Sequence, residues 1–108
     1  MSVIVYSGKT STGVVLTNDN MYVNSGGTAV NTTIRNQCDM YIAAGGSANK
    51  TIVSNGSMYC GGTATSTTVY ELGMMDVIKS GSAYYTNVSG GWLWVYSGGA
   101  VADRKSVM

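Results

Sequence analysis

Apolar residues alternate with polar or aromatic ones over short stretches of this chain, and the stretches recur. Within residues 21–39, Met21-Tyr22-Val23-Asn24 and Thr32-Thr33-Ile34-Arg35 are two such stretches, joined through Ser25-Gly26-Gly27. Period-two alternation in β-branched and aromatic residues predicts strands with one buried face, and the Gly pair between them predicts a corner. The pattern returns 19 residues later as Met40-Tyr41-Ile42-Ala43-Ala44-Gly45-Gly46 followed by Thr51-Ile52-Val53. A third copy, Met58-Tyr59-Cys60-Gly61-Gly62 with Thr67-Thr68-Val69, lacks two residues before its glycines. Looser copies run Ile78-Lys79-Ser80-Gly81-Ser82-Ala83 to Val88 and Val95-Tyr96-Ser97-Gly98-Gly99-Ala100 to Val107, and Val5-Tyr6-Ser7-Gly8 leading to Leu16 is a degenerate first copy.

A period near 20 residues with turn glycines at one phase is the signature of a solenoid, in which no coil can bury its apolar side alone. The expected fold is all-β, a β-solenoid of about six coils of 16–19 residues with essentially no helix, in one domain spanning 1–108. The expected coils are a degenerate 1–20, then 21–39, 40–57, 58–73 and 74–91, and a last coil and cap over 92–108. Stacked in register, they predict three apolar ladders: Val5, Val23, Ile42, Cys60, Ile78 and Val95; Leu16, Ile34, Val53, Val69, Val88 and Val107; and Ala29, Ala48, Ala64 and Ala83. A sandwich of independent hairpins is the alternative, but it would not need one residue type at one phase of every unit. Asp76 falls at the phase of Met21, Met40 and Met58, which predicts a corner, partly open, for the methionine ladder.

Composition narrows the chemistry. The chain has 15 Gly, no Pro, no Phe and no His, with 44% apolar and 10% charged residues, which is not a disordered composition. Without histidine there is no imidazole base or ligand, so Ser-His and Cys-His nucleophile systems and most zinc sites are excluded, and no enzymatic activity and no cofactor are expected. The acids Asp19, Asp39, Glu71 and Asp103 read as solvated turn residues, with Asp76 the exception at the methionine phase, and Asp19 and Asp39 are close enough in phase for stacking to bring them together. A net charge of +1 with only Arg104 and Lys105 adjacent gives no phosphate-tracking stripe, so nucleic acid is not an expected partner. No stretch approaches the ~20 apolar residues of a membrane helix, and residues 1–6 lack the basic and long apolar regions of a signal peptide, so neither membrane insertion nor a leader is expected. Cys38 falls in a turn and Cys60 in a ladder, out of phase, so free thiols are expected.

The units Val23-Asn24-Ser25-Gly26-Gly27-Thr28-Ala29-Val30-Asn31-Thr32-Thr33-Ile34 and Gly61-Gly62-Thr63-Ala64-Thr65-Ser66-Thr67-Thr68-Val69 resemble the strand-loop-strand repeats in passengers of self-associating, AIDA-type autotransporter adhesins. That resemblance covers nearly the whole chain. It implies a right-handed β-solenoid, exposed at a Gram-negative cell surface and working in cell-to-cell or cell-to-host adhesion. It also implies glycosylation of serines that precede the turn glycines, best at Ser25 and Ser97 and less so at Ser7 and Ser80.

Surface expectations follow from alternation. Tyr22, Tyr41 and Tyr59 sit one residue before Val23, Ile42 and Cys60, so they form an outward column that Trp94 continues, with Trp92 nearby. Such aromatics suit an interface, and cross-strand stacking alone would also account for them. Val3, Ile4 and Val5 form an uncharged terminal rung, expected to be covered by self-association, as a homodimer through the N-terminal coil, or by a protein partner. Two function classes fit: an adhesive passenger-like scaffold at the cell surface, or a stand-alone cytoplasmic binding protein of phage or mobile-element origin that blocks a cellular target.

Overall fold

Short strands separated by tight corners wind into six three-sided coils. The computed structural model describes the backbone of residues 2–102 and 105–107 and the side chains of 3–102. The first coil is β1 (Ser2–Val5), β2 (Thr10–Thr12) and β3 (Val15–Leu16), and the second is β4 (Asn20–Val23), β5 (Thr28–Val30) and β6 (Thr33–Ile34). The third coil holds β7 (Asp39–Ile42), β8 (Ser47–Asn49) and β9 (Ile52–Val53), and the fourth β10 (Ser57–Cys60), β11 (Thr63–Thr65) and β12 (Thr68–Val69). The fifth is β13 (Met74–Val77), β14 (Ser82–Tyr84) and β15 (Asn87–Ser89), and the sixth β16 (Trp92–Val95), β17 (Ala100–Ala102) and β18 (Lys105–Val107).

Every third strand pairs in parallel with its counterpart one coil on, giving three six-stranded sheets: the first ordered β1-β4-β7-β10-β13-β16, the second from β2 to β17, and the third from β3 to β18. The described residues include no helix. The core is a set of ladders running along the stack: Met21, Met40, Met58 and Met75 beside Val5, Val23, Ile42, Cys60 and Val77 from the first sheet, Ala29, Ala48, Ala64 and Ala83 from the second, and Leu16, Ile34, Val53, Val69 and Val88 from the third. Alanine at this column means the second sheet contributes little side-chain volume to the core.

Register departs from the expected ladders at two places. Val77, not Ile78, stands under Cys60; it is fully buried, while Ile78 is 38% exposed. The cause is a coil that closes in 17 residues from Cys60 to Val77, against 18 from Ile42 to Cys60. It has only Gly61 and Gly62 at its first corner, where the coil above has residues 43–46. That slip also corrects the reading of Asp76. Met75 takes the methionine position, so the methionine ladder is fully buried rather than open at a corner, and Asp76 moves one place along into the tyrosine column. At the other end Ser106 pairs with Val88, and Val107 pairs with Ser89, one step out of the ladder assigned to it.

Corners use two kinds of glycine. Gly26 has φ +85°, the left-handed region, and a side chain there would also run into Ser7 of the preceding coil. The second glycine of the corner has no such φ and is required by space, as Gly81 illustrates: a Cβ would strike the carbonyl oxygen of Cys60 on the neighbouring coil and approach Ile78 O at 2.9 Å.

In the first five coils the corner between the second and third sheets has two residues. The first is left-handed, as in Asn31, Lys50, Ser66 and Tyr85, and the second turns inward as Thr32, Thr51, Thr67 and Thr86. All four threonines are buried, and none of their hydroxyls has a hydrogen-bond partner in the described structure. Val14 occupies the same position in the first coil, where Thr33 N–H donates to its carbonyl. A hydroxyl taken out of water without a partner is unfavourable. We therefore expect Thr51→Val to raise stability by about 1 kcal/mol, read as an increased urea midpoint at unchanged m-value; a loss of stability would mean that the hydroxyl has a partner.

Candidate functional site

In the first sheet the sequence alternates Met-Tyr-Val, Met-Tyr-Ile and Met-Tyr-Cys, so the pleat sends methionine and the third residue inward and tyrosine outward. Rung spacing then decides how the rings meet. Tyr22 and Tyr41 stack with centroids 5.1 Å apart and planes 6° from parallel, and Tyr41 and Tyr59 at 4.9 Å and 11°. This is the inter-strand repeat itself, imposed by the backbone on rings that would otherwise favour offset or edge-on contact. Tyr22 and Tyr41 are each 37% exposed and Tyr59 is half-buried. Ile4 heads the same column, and Asp76 and then Trp94 follow Tyr59. Trp92, two residues before Trp94, lies on the same outward face, one column over, in register with Met74. Both tryptophans are about half exposed, at 50% and 52%.

Two acids lie on this face. Asp39 pairs with Asn20, not with Asp19, because Met40 stands on Met21; its N–H donates to Asn20 Oδ1 at 3.1 Å. Tyr41 donates its hydroxyl to Asp39 Oδ2 at 3.4 Å, and partial desolvation followed by the Asp39 charge raises the Tyr41 pKa. Asp76 differs from every other described acid in being only 6% exposed, and its Oδ1 has no hydrogen-bond partner. Burial pushes its pKa up from the usual 3.8. A carboxyl with a raised folded-state pKa holds its proton more tightly when folded, so its contribution to stability is best in acid and worsens as pH rises from the ordinary carboxylate value through the raised one. Asp76→Asn is accordingly expected to melt above the wild type at pH 7, with the gap closing as pH falls below the ordinary carboxylate range. A gap independent of pH would exclude the ionised carboxyl as its source.

The remaining sites predicted from the sequence are dispersed. Ser25 and Ser97 are exposed at the corner between the first and second sheets, as is Ser7. Ser80 does not share their position: with φ +74° and its N–H donating to Gly98 O, it stands where Gly26 does, and Lys79 takes the serine place beneath Gly98. At the N-terminal coil Val5 is buried, Val3 half-buried and Ile4 exposed on the outward face. Asp103 lies outside the described residues, and Asp19 and Glu71 belong to turns rather than to the first sheet's face.

Both cysteines are free and buried. The Cys60 thiol donates to Gly62 O at 3.3 Å, and burial pushes its pKa up to about 11. Burial shields Cys38, and burial with a raised pKa shields Cys60, so a thiol reagent at pH 8 should find neither cysteine in the native protein and both once denaturant is added. Release of one equivalent before unfolding would show a coil opening locally.

Alternation alone predicts the aromatic strip, but it misses Asp76 in the middle of it. Counting the two residues lost before Gly61 through to the next copy would have found it. Comparison with known proteins adds the fold and little more. No family model matches the chain, and no curated protein matches it. Among solved structures, the crystal structure of a TibC-catalysed, hyper-glycosylated TibA fragment is similar at a TM-score of 0.54 and 24% identity over 98% of this chain. The match spans 61% of that fragment, and what the likeness establishes is the β-solenoid architecture.

Proposed function

We propose that this chain is a non-enzymatic β-solenoid scaffold, adhesin-passenger-like, whose first-sheet outer face makes protein or cell-surface contact. The observation that carries the reading is the strip itself: Tyr22, Tyr41, Tyr59, Trp92 and Trp94 held on one rigid face, with both tryptophans half exposed. Tyrosine and tryptophan bury large area at low entropic cost, and a sheet that cannot deform presents them already ordered. Stacking would stabilise the sheet with the rings less exposed, so exposure favours a contact role. Repeat units that resemble those of AIDA-type passengers, and a solenoid similar to the TibA fragment, support the scaffold part of the reading.

The test is adhesion of protein-coated beads to bacterial and epithelial cells, with wild type against a Tyr41→Ser, Trp94→Ser double variant. Loss of most bead attachment in the double variant, with an unchanged circular dichroism spectrum, is the expected result; equal attachment would overturn the reading. The proposal extends to two further features. Self-association through Val3, Ile4 and Val5 would appear as a mass that rises with concentration in light scattering and that Ile4→Lys holds at monomer; a strictly monomeric wild type would remove it. Glycosylation at Ser25 and Ser97, both exposed, would appear as whole-sugar increments in the intact mass of protein from its native host, and an unmodified mass would leave them as turn residues.

A further inference from the structure

Asp76 is the one described acid whose burial the fold does not compensate. It sits on the outward side of the first sheet, in register with Tyr59 on one neighbouring strand and Trp94 on the other, and its Oδ1 is enclosed without a donor. A buried carboxylate without a partner is destabilising, and the other coils carry uncharged residues at this phase: Ile4, Tyr22, Tyr41, Tyr59 and Trp94. The charge around it is one-sided. The outward positions of β4, β7, β10, β13 and β16 are Asn20, Tyr22, Asp39, Tyr41, Ser57, Tyr59, Met74, Asp76, Trp92 and Trp94, which include two acids and no base. Aromatic ring faces are themselves electronegative, so rings and carboxylates on this sheet add to one attraction, toward an organic cation with a flat or apolar body.

We propose that Asp76, between Tyr59 and Trp94, is the anchor of a binding site for an arginine side chain presented by a partner protein. The inference rests on the reading of this face as the contact surface and names the chemistry it would recognise. Guanidinium fits better than ammonium for three reasons. It is planar, and Tyr59 and Trp94 are two rungs apart, roughly 9.5 Å, which leaves room for one flat group over Asp76 on the rung between them. It is weakly hydrated, so little is lost in leaving water for a place between aromatic rings, and its N–H groups meet a carboxylate in a fixed fork. Because Oδ1 is enclosed, entry requires the side chains over it to move.

Trp92 and Trp94 are the only two tryptophans of the chain, so their emission reports the site directly. Titration with N-acetyl-arginine amide should change that emission saturably. N-acetyl-citrulline amide, which has the same shape without the charge, should produce no saturable change, and N-acetyl-lysine amide should bind several-fold more weakly. Asp76→Asn, with a melt that confirms folding, should weaken arginine binding at least tenfold. Equal binding of citrulline, undiminished binding by Asp76→Asn, or a response to a methyl glycoside with none to arginine would each overturn the proposal. Bead adhesion separates this from the broader reading: if Tyr41→Ser, Trp94→Ser abolishes attachment while arginine does not bind, the face is a contact surface and only the arginine site fails. If attachment survives that double variant, the contact reading falls whatever arginine does.

Discussion

Ile34→Asp should abolish folding, while Ile52→Asp, in the next coil of the same sheet, should be tolerated. Ile34 is fully buried between Leu16 and Val53 in the third sheet's ladder. Its loss forfeits roughly 1.5–3 kcal/mol of burial, and the carboxylate that replaces it must either stay ionised in the core or take up a proton far from its ordinary pKa. Together these reach the order of the ~5–15 kcal/mol by which a domain of this size is stable at all. Ile52 pairs with Thr33 and Thr68 on the outward side and is substantially exposed, so aspartate there meets water. Circular dichroism melts of the two variants decide the matter: a cooperative, wild-type-like melt for Ile34→Asp, or collapse of Ile52→Asp, would put the faces of this sheet the other way round.

Gly81→Ala should cost about 3 kcal/mol, and Gly8→Ala only the roughly 1–2 kcal/mol of a left-handed non-glycine residue. At Gly81 the added methyl runs into the Cys60 carbonyl, backbone of the adjacent coil that cannot rotate aside. That carbonyl accepts the Ile78 N–H, so moving it breaks the ladder that joins the fourth and fifth coils. At Gly8, with φ +78°, nothing lies within 4 Å of the new methyl. For a chain of 108 residues the larger cost should lower the thermal midpoint by on the order of 10–20 °C. Similar midpoints for the two variants would mean that coil-to-coil spacing can relax locally, contrary to the parallel ladders seen across this corner.

The sequence by itself determined the architecture and the facing of most side chains. Short alternating stretches, turn glycines at one phase and apolar residues at equivalent phases of six units leave a β-solenoid as the economical solution, because only stacking gives each coil a buried side. Tyr22, Tyr41, Tyr59 and Trp94 fell into one outward column from alternation alone, and the structure places them there. Tertiary structure decided what depends on the exact count of residues around each coil. A strand's side chains change face with every one-residue step, so the 17-residue coil between Cys60 and Val77 exchanged Ile78 for Val77 in the core and moved Asp76 from the methionine ladder to the aromatic face. The same sensitivity put Ser106 rather than Val107 against Val88, and Lys79 rather than Ser80 in the serine position at the corner. Nor could local pattern separate the two roles of glycine at the first corner, since one is a matter of φ and the other of how closely the neighbouring coil approaches. Corner length is weakly encoded because turns tolerate insertion and deletion at little cost, whereas the face a residue occupies is strongly constrained by burial; the ladders were therefore legible from alternation, and the buried acid on the aromatic strip was legible only from the exact residue count around the shortened coil.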